Sequence, residues 1–403
     1  VRLTLVNQFY APDISPTAQL AASLAEHRAE RGDEVTIVTG RAGYLERYAP
    51  AAPAPRGPRL VVRRVWTPHL GKSSLWRRLL GYLTFSVGGT LRVLTLPRQD
   101  VLVAMTTPPL IVLAAVLHRL LHRRSRVVLW SMDCYPDAAE RFGELRPGGP
   151  LSRVLRAVNR WAFRRIDQVV ALDAAMVDLL RAYATQPAPA FDVIPNWERA
   201  ELFPPPEAGA PVWDGYADLP TEGRTVVVYL GNTGVGHRFD TVLDAAAELC
   251  DDALFLFVGG GARWDELQAA VAERRLTNVA FRGYVPKEDT PAVMAGAHGA
   301  LITLDERSLG VMSPSKLHAN LAAGLPVLYV GPAGSNVDEA IVAHRCGRSL
   351  REGDAVGLVA AVRGLRGDDD LRRRARAAFE AAYCDAATLP AFDALLDAAG
   401  ARP

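Results

Sequence analysis

The segment Thr225-Val226-Val227-Val228-Tyr229-Leu230-Gly231-Asn232-Thr233-Gly234-Val235-Gly236-His237-Arg238 is an apolar run of strand length that breaks into a glycine-rich turn. A helix-length stretch from Thr241 to Cys250 follows it. Strand, glycine turn and helix form the βα step of a parallel sheet, whose strands, covered on both faces, read as continuous apolar runs. Glycines in the turn let backbone N–H groups approach an anion closely, and the following helix adds partial positive charge. His237 and Arg238 can add donors. The spacing is Gly-x-x-Gly-x-Gly; it is neither the dinucleotide Gly-x-Gly-x-x-Gly nor a Walker Gly-Lys-Ser/Thr, which weakens both of those readings. A plain tight turn is the alternative.

Working outward, the same alternation recurs on both sides. Before this segment come strand-length runs at Leu3–Val6, Glu34–Thr39, Leu60–Val65, Val101–Ala104, Arg126–Trp130, Gln168–Leu172 and Phe191–Ile194. Helix-length stretches separate most of them: Thr17–Arg31, Leu75–Leu94, Leu110–His122, Leu151–Arg165 and Ala174–Tyr183. After it come runs at Ala253–Val258, Val279–Arg282, Gly299–Thr303 and Val327–Val330, with helices at Arg263–Glu273, Pro291–Ala297 and Ser315–Ala323 and a helical tract over 354–399. Residues 203–223 are rich in proline and glycine and read as a linker. The fold class is therefore α/β, with two Rossmann-like doubly wound halves facing a cleft. A cleft between two such halves suits a transfer between two substrates; a single-substrate Rossmann enzyme with a large second domain is the other reading.

A second candidate anion site is Ser313-Pro314-Ser315-Lys316 at the opening of a helix. Ser313 or Ser315 can cap it, and a lysine in the first turn opposes the helix dipole unless an anion lies between them. A solvated lysine behind an ordinary cap is the plain alternative. Gly259-Gly260-Gly261 ends a strand at the carboxyl edge of the sheet. In the first half, Asn7-Gln8-Phe9-Tyr10-Ala11-Pro12-Asp13 follows the first strand and leads to the Thr17 helix. Asp133 and Asp137, after another strand, are candidates to orient an acceptor hydroxyl, although Asp137 can equally cap the next helix. Cys134 beside them is a poor nucleophile, because two carboxylates raise a thiol's pKa.

Composition narrows the classes. The 403 residues are 49% apolar and 22% charged, the balance of a globular chain. Lys+Arg 46 against Asp+Glu 44 gives a net charge of +2, too near neutral for a nucleic-acid coat, so no nucleic-acid partner is expected. Four scattered cysteines without a Cys-x-x-Cys pair argue against a zinc ribbon or a disulfide scaffold and fit a reducing cytoplasm. The chain opens on a strand pattern without a secretory signal, and no run offers about 20 clean apolar residues for a membrane span. From Arg47 to Met132, however, there are fourteen Lys/Arg and one acid, Asp100. The basic, aromatic-rich stretch 72–92 suits either an anionic membrane surface or a buried helix with one basic face.

Taken together, Asn7-Gln-Phe-Tyr-Ala-Pro-Asp, Tyr135-Pro-Asp, Trp161–Val170, Ile194-Pro-Asn-Trp197, Gly231-Asn-Thr-Gly, Ser313-Pro-Ser-Lys and Ala322-Ala-Gly-Leu-Pro-Val resemble the GT-B glycosyltransferases, specifically the retaining family 4 enzymes of the exopolysaccharide and colanic-acid type. The resemblance covers nearly the whole chain. It implies an acceptor-binding domain over 1–202, a nucleotide-sugar-binding domain over 203–376 and a C-terminal helix, 377–403, that packs back on the first. It implies sugar transfer from a UDP-, GDP- or ADP-sugar to a lipid-linked glycan or a small-molecule hydroxyl or amine, with no metal and no cofactor, in the cytoplasm or at the inner face of the membrane. Carried onto this sequence, the catalytic candidates are Lys316, Arg238, His237 and Asp133. The donor-binding candidates are Gly231, Asn232, Gly234, Gly236, Gly260, Ser313, Ser315, His318 and Asn320. The acceptor-binding candidates are Asn7, Tyr10, Thr17, Asp133 and Asp137.

The chain also departs from the family pattern. Val311 and Ala319 occupy the places of a paired-glutamate motif, whose second member typically grips the nucleotide ribose; His318 or Asn320 stand nearby as substitutes. Asn232 and His237 occupy the places of a loop arginine and lysine. A sugar-nucleotide epimerase and a non-catalytic nucleotide-sugar-binding subunit are the rival functions.

Overall fold

The computed structural model describes residues 1–13, 15–41, 59–68, 75–204 and 212–401. The chain divides into two compact units. Unit 1 comprises Val1–Ile194, Gly310–Met312 and Thr388–Pro403, and unit 2 comprises Pro195–Leu309 and Ser313–Ala387.

Unit 1 runs β1 (Arg2–Val6), α1 (Pro16–Glu30), β2 (Glu34–Gly40), β3 (Leu60–Val65), α2 (Leu75–Leu94), β4 (Val101–Ala104), α3 (Val112–Leu121), β5 (Arg126–Trp130), α4 (Asp137–Arg141), α5 (Pro150–Phe163), β6 (Gln168–Ala171), α6 (Ala174–Arg181) and β7 (Ala190–Val193). Its sheet order is β3-β2-β1-β4-β5-β6-β7, and every described pairing is parallel. Unit 2 runs β8 (Thr225–Asn232), α7 (Asp240–Glu248), β9 (Ala253–Gly260), α8 (Trp264–Glu273), β10 (Val279–Arg282), α9 (Thr290–Ala295), β11 (Gly299–Thr303), α10 (Lys316–Ala322), β12 (Val327–Val330), α11 (Asn336–His344), β13 (Gly347–Leu350), α12 (Ala355–Arg363) and α13 (Asp369–Ala378). Its order is β10-β9-β8-β11-β12-β13, again parallel throughout.

Both sheets thus reverse their winding beside the first strand: between β1 and β4 in unit 1, and between β8 and β11 in unit 2. At such a switch point neighbouring loops diverge to opposite faces and leave a crevice at the strands' carboxyl ends, where open α/β sheets bind ligands. In unit 2 the crevice is anchored by a cluster of aromatic rings. Tyr229 lies 5.4 Å from Phe257 and 5.3 Å from Phe239, and Phe257 stacks on Phe281 at 5.5 Å.

The last helix, α14 (Asp385–Gly400), ends in unit 1. Phe392 packs 4.7 Å from Trp130, and the fully buried Arg28 of α1 donates to Asp33 at 2.6 Å, to Asp393 at 2.8 Å and to Asp397 at 2.6 Å. The expected helical tract over 354–399 is in fact three helices. Gly364 and Gly367 separate the first two, Asp368 caps α13 through Leu371 N, and a π-turn over Phe379–Tyr383 precedes α14. Within the expected linker, residues 205–211 lie outside the described residues. Those that follow are folded onto unit 2, with Tyr216 buried and donating to Val293 O at 2.6 Å.

Candidate functional site

The glycine turn of unit 2 is built by close backbone approach. Gly259 has φ +143°, and a Cβ there would stand 2.2 Å from Gly231 O; one on Gly261 would stand 2.3 Å from Asn232 Oδ1. Thr233 N and Oγ1 both donate to Gly260 O, at 2.7 and 3.2 Å, tying the end of β8 to the end of β9. The turn closes at Gly236, whose carbonyl accepts from Asp305 N at 2.8 Å and Ser308 Oγ at 3.2 Å. It leads into α7 at Asp240.

Lys316, the first residue of α10, reaches across this turn. Its Nζ donates to Asn232 O at 3.1 Å, lies 3.3 Å from His237 Nε2, and stands 4.7 Å over the Tyr229 ring. Tyr229 Oη donates to the same Asn232 carbonyl at 2.8 Å. His237 Nδ1 lies 2.6 Å from Thr303 O, the last residue of β11. A carbonyl only accepts, so Nδ1 carries the proton and the Nε2 lone pair receives the Lys316 N–H. Burial holds His237 neutral, its pKa down to about 3. Although Lys316 is only half-buried, desolvation pulls its ammonium down to about 7 from an ordinary 10.5. Every partner of that ammonium is neutral, and no carboxylate among the described residues pairs with it. A cation held this way at the switch point is set for an anion.

The remaining donor candidates divide. Gly231, Asn232, Gly234 and Gly260 line the turn, and a Cβ on Gly231 would touch Lys316 Cε at 3.4 Å. Ser315 is exposed at the N-cap position of α10 without a side-chain capping bond, and Ser313 precedes it half-buried. Asn320, one turn beyond Lys316, is buried on the same side of the helix.

Three expectations require correction. His237, expected as a diphosphate donor, is a neutral acceptor for Lys316. Arg238, expected beside it, is exposed and paired to Glu352 at 2.7 Å and Asp240 at 3.3 Å. His318, expected as a substitute for the ribose-binding glutamate, faces the core: its ring lies 5.7 Å from Tyr383, its Nδ1 bonds Ser315 O at 3.1 Å, and its Nε2 is buried without a partner. Val311, in the place of the other glutamate, is buried in unit 1 and accepts from Cys134 N at 3.0 Å.

In unit 1 the loops after β1, β4 and β5 meet at the switch point. Gln8 N donates to Thr107 O at 2.9 Å, and Thr106 Oγ1 accepts from Met132 N at 3.0 Å and Asp133 N at 3.1 Å. Asn7 Nδ2 donates to Phe9 O at 2.7 Å, leaving Asn7 Oδ1 and Gln8 Oε1 buried without partners. Tyr10 is buried, and Thr17 lies half-buried in the first turn of α1. The Asp133 carboxylate has no partner among the described residues, and desolvation raises it to about 6. Asp137 does not belong with these residues. It is buried and holds Arg156 Nη2 at 2.8 Å and Tyr183 Oη at 2.5 Å, a structural cluster completed by Glu140. Burial also pushes the Cys134 thiol far up, which removes it as a nucleophile. Sequence reasoning missed Tyr229, Thr303 and Thr106. Tyr229 lies within β8, Thr303 ends β11 and Thr106 follows β4, all strands beside a switch point, a placement that appears only once strand order is known.

Among the described residues no cluster of three or more His, Cys, Asp or Glu side chains is arranged to hold a metal, and no helix is long and apolar enough to cross a membrane.

Residues 17–197 match the family model of the glycosyl transferase 4-like domain, and residues 224–368 match that of glycosyl transferases group 1. The chain belongs to the group 1 glycosyltransferases. It is 26% identical over 264 residues to the Pseudomonas aeruginosa protein named "Probable glycosyltransferase WbjE", an alignment covering 65% of this chain and 64% of that one. It is 32% identical over 230 residues to the 2-deoxystreptamine glucosyltransferase of Streptomyces kanamyceticus, covering 51% of this chain and 58% of that one. The match thus spans less than two thirds of either relative. Among solved structures, Anabaena HepE in complex with UDP-glucose superposes with a TM-score of 0.70 at 13% identity, over 98% of this chain and 99% of that one, which shows the GT-B fold.

Proposed function

We propose that this glycosyltransferase moves a sugar from a nucleoside diphosphate to an acceptor hydroxyl or amine, with retention, and that the donor diphosphate sits at the turn of unit 2 against Lys316. The observation that carries the reading is the Lys316 ammonium: caged by Asn232 O, His237 Nε2 and the Tyr229 ring, with no carboxylate among the described residues to neutralise it. As the glycosidic bond breaks, negative charge grows on the departing diphosphate, and fixed donors stabilise it most where water is scarce. Lys316 supplies the charge, and backbone N–H groups of the turn and of the first turn of α10 supply hydrogen bonds. His237 is a positioning residue that holds Lys316 from behind. Family members commonly carry this cation on the glycine turn; here histidine stands in its place and the cation comes from α10.

In this reading the 203–376 region binds the nucleotide sugar. The 1–202 region, joined by the helix of 377–403, takes the acceptor through Asn7, Tyr10, Thr17 and Asp133. UDP-sugars are the first donors to test because HepE is seen with UDP-glucose; GDP- and ADP-sugars follow. The acceptor is a lipid-linked glycan on the cytoplasmic side of a membrane or a small molecule, the latter favoured by the likeness to the 2-deoxystreptamine glucosyltransferase.

A thermal-shift series with UDP, GDP and ADP tests the donor site. A diphosphate at 100 times its Kd should add about 2.7 kcal/mol of stability, and Lys316→Met should abolish most of it. Absence of stabilisation by every nucleotide refutes the reading. Free epimerised sugar formed without an acceptor would instead identify an epimerase.

A further inference from the structure

Helix α2 has two apolar faces, and among the described residues only one of them is packed. On the inner side Phe85, Gly89 and Val93 follow one another at four-residue spacing, all buried. A Cβ on the adjacent Gly88 would stand 2.5 Å from the Val65 side chain, so the helix is pressed against β3. On the outer side Trp76, Leu79, Leu80, Leu83, Val87 and Leu91 fall at the spacing of one helical stripe. All six are exposed, from 44% at Leu79 to 62% at Leu83 and 79% at Trp76. The stripe is about 22 Å long at 1.5 Å per residue. Leu120 and Leu121, at the end of α3, add two more exposed apolar side chains. The outer face of a surface helix is ordinarily polar; a continuous apolar stripe there marks an interaction surface.

Charge indicates the partner. Arg77 near the start of α2 and Arg123 and Arg124 after α3 are exposed, and Arg92 is half-buried. No Asp or Glu occurs from Arg47 to Gln99. Asp100 is occupied by Arg2 N at 2.9 Å. A second copy of the same face would bring arginine against arginine in a two-fold interface, whereas lipid phosphates complement it. Trp76 at one end of the stripe suits the headgroup boundary. The arginines that accompany the stripe keep the helix from entering the bilayer end-on.

We propose that the outer face of α2, extended by Leu120 and Leu121, docks this protein on an anionic lipid bilayer, lying in the plane of its surface. Residues 72–74, including Lys72, and the Arg78 side chain lie outside the described residues. The proposal does not depend on the sugar-transfer reading.

Co-sedimentation with phosphatidylcholine vesicles, with or without one third phosphatidylglycerol, tests it. The full chain should partition about tenfold more strongly onto the anionic vesicles and be released by high salt. Leu79→Asn/Leu83→Asn/Val87→Asn should stay in the supernatant, as should Arg77→Gln/Arg123→Gln/Arg124→Gln. These surface changes should leave the melting temperature and nucleotide binding unaltered, which separates lost docking from lost folding. A wild-type chain that ignores anionic vesicles, or an Asn variant that binds them equally well, overturns the proposal. So does a wild-type dimer that the Asn variant converts to monomer, because the stripe would then be a self-interface.

Discussion

Lys316 should make nucleotide binding weaken with rising pH across the neutral range, where an ordinary lysine would stay charged. With its pKa near 7 in the free protein, about half of the Lys316 amines are charged at pH 7 and roughly one in thirty at pH 8.5. A diphosphate favours the charged amine and so raises its pKa on binding. Linkage then requires proton uptake, and affinity falls as pH rises from the free pKa toward the bound one. The Kd for UDP should weaken on the order of tenfold between pH 7 and pH 8.5, which is about 1.4 kcal/mol. His237, held near 3, and His318, held near 4, are already neutral throughout this window and contribute nothing to the slope. Titration calorimetry in two buffers of different ionisation enthalpy reads both quantities, and proton uptake should approach about one per site at pH 8.5. Lys316→Met should flatten the profile, weaken binding at pH 7 by roughly 1.5–3 kcal/mol for the lost charged hydrogen bond, and lower kcat/KM by ~10²–10³-fold. A pH-independent Kd without proton uptake, in a folded protein, would refute the assignment of the cation to Lys316.

Gly259→Ala should destabilise the protein by more than about 2 kcal/mol and abolish nucleotide binding, read by urea unfolding and calorimetry, because its Cβ would stand 2.2 Å from Gly231 O at a positive φ. Arg28→Met should cost about 3–5 kcal/mol near neutral pH by removing the buried guanidinium that Asp33, Asp393 and Asp397 share. Asp393 is held below the usual carboxylate range by His27 and Arg28, so that contribution is present above about pH 4 and is lost as pH falls below it, visible as a narrowing gap between wild type and variant in acid melts. Asp133→Asn should lower kcat while leaving the Kd for UDP unchanged, and should remove any loss of activity centred near pH 6; Asp137→Asn should instead lower the melting temperature, since its carboxylate holds Arg156 and Tyr183.

The repeating strand–helix alternation was legible because buried parallel strands such as Val101–Ala104 and Ala253–Gly260 are apolar on both faces. Edge pieces were not. β13 is Gly-Arg-Ser-Leu, too short and polar to stand out, and α4 and α11 hide behind proline and glycine. At the site, the sequence located the glycine turn and Lys316 but not the link between them. That link depends on β8 and β11 being neighbours, which puts Thr303 behind His237 and His237 behind Lys316. His318 misled because spacing along a helix cannot say which side meets the core, and here Tyr383 from a distant segment claims it. Arg238 misled because its acidic partner, Glu352, lies more than a hundred residues away.

The way α14 ends in unit 1 also bears on synthesis. As the chain emerges from the ribosome, all seven strands of the first sheet are made before residue 200, yet Phe392, Asp393 and Asp397 come close to the end. Until they arrive, Trp130 lacks its ring partner and Arg28 is left with Asp33 alone. A fragment ending at Ile194 would therefore display an indole and a guanidinium meant for the interior, and would invite chaperone capture or aggregation rather than behave as a separable module.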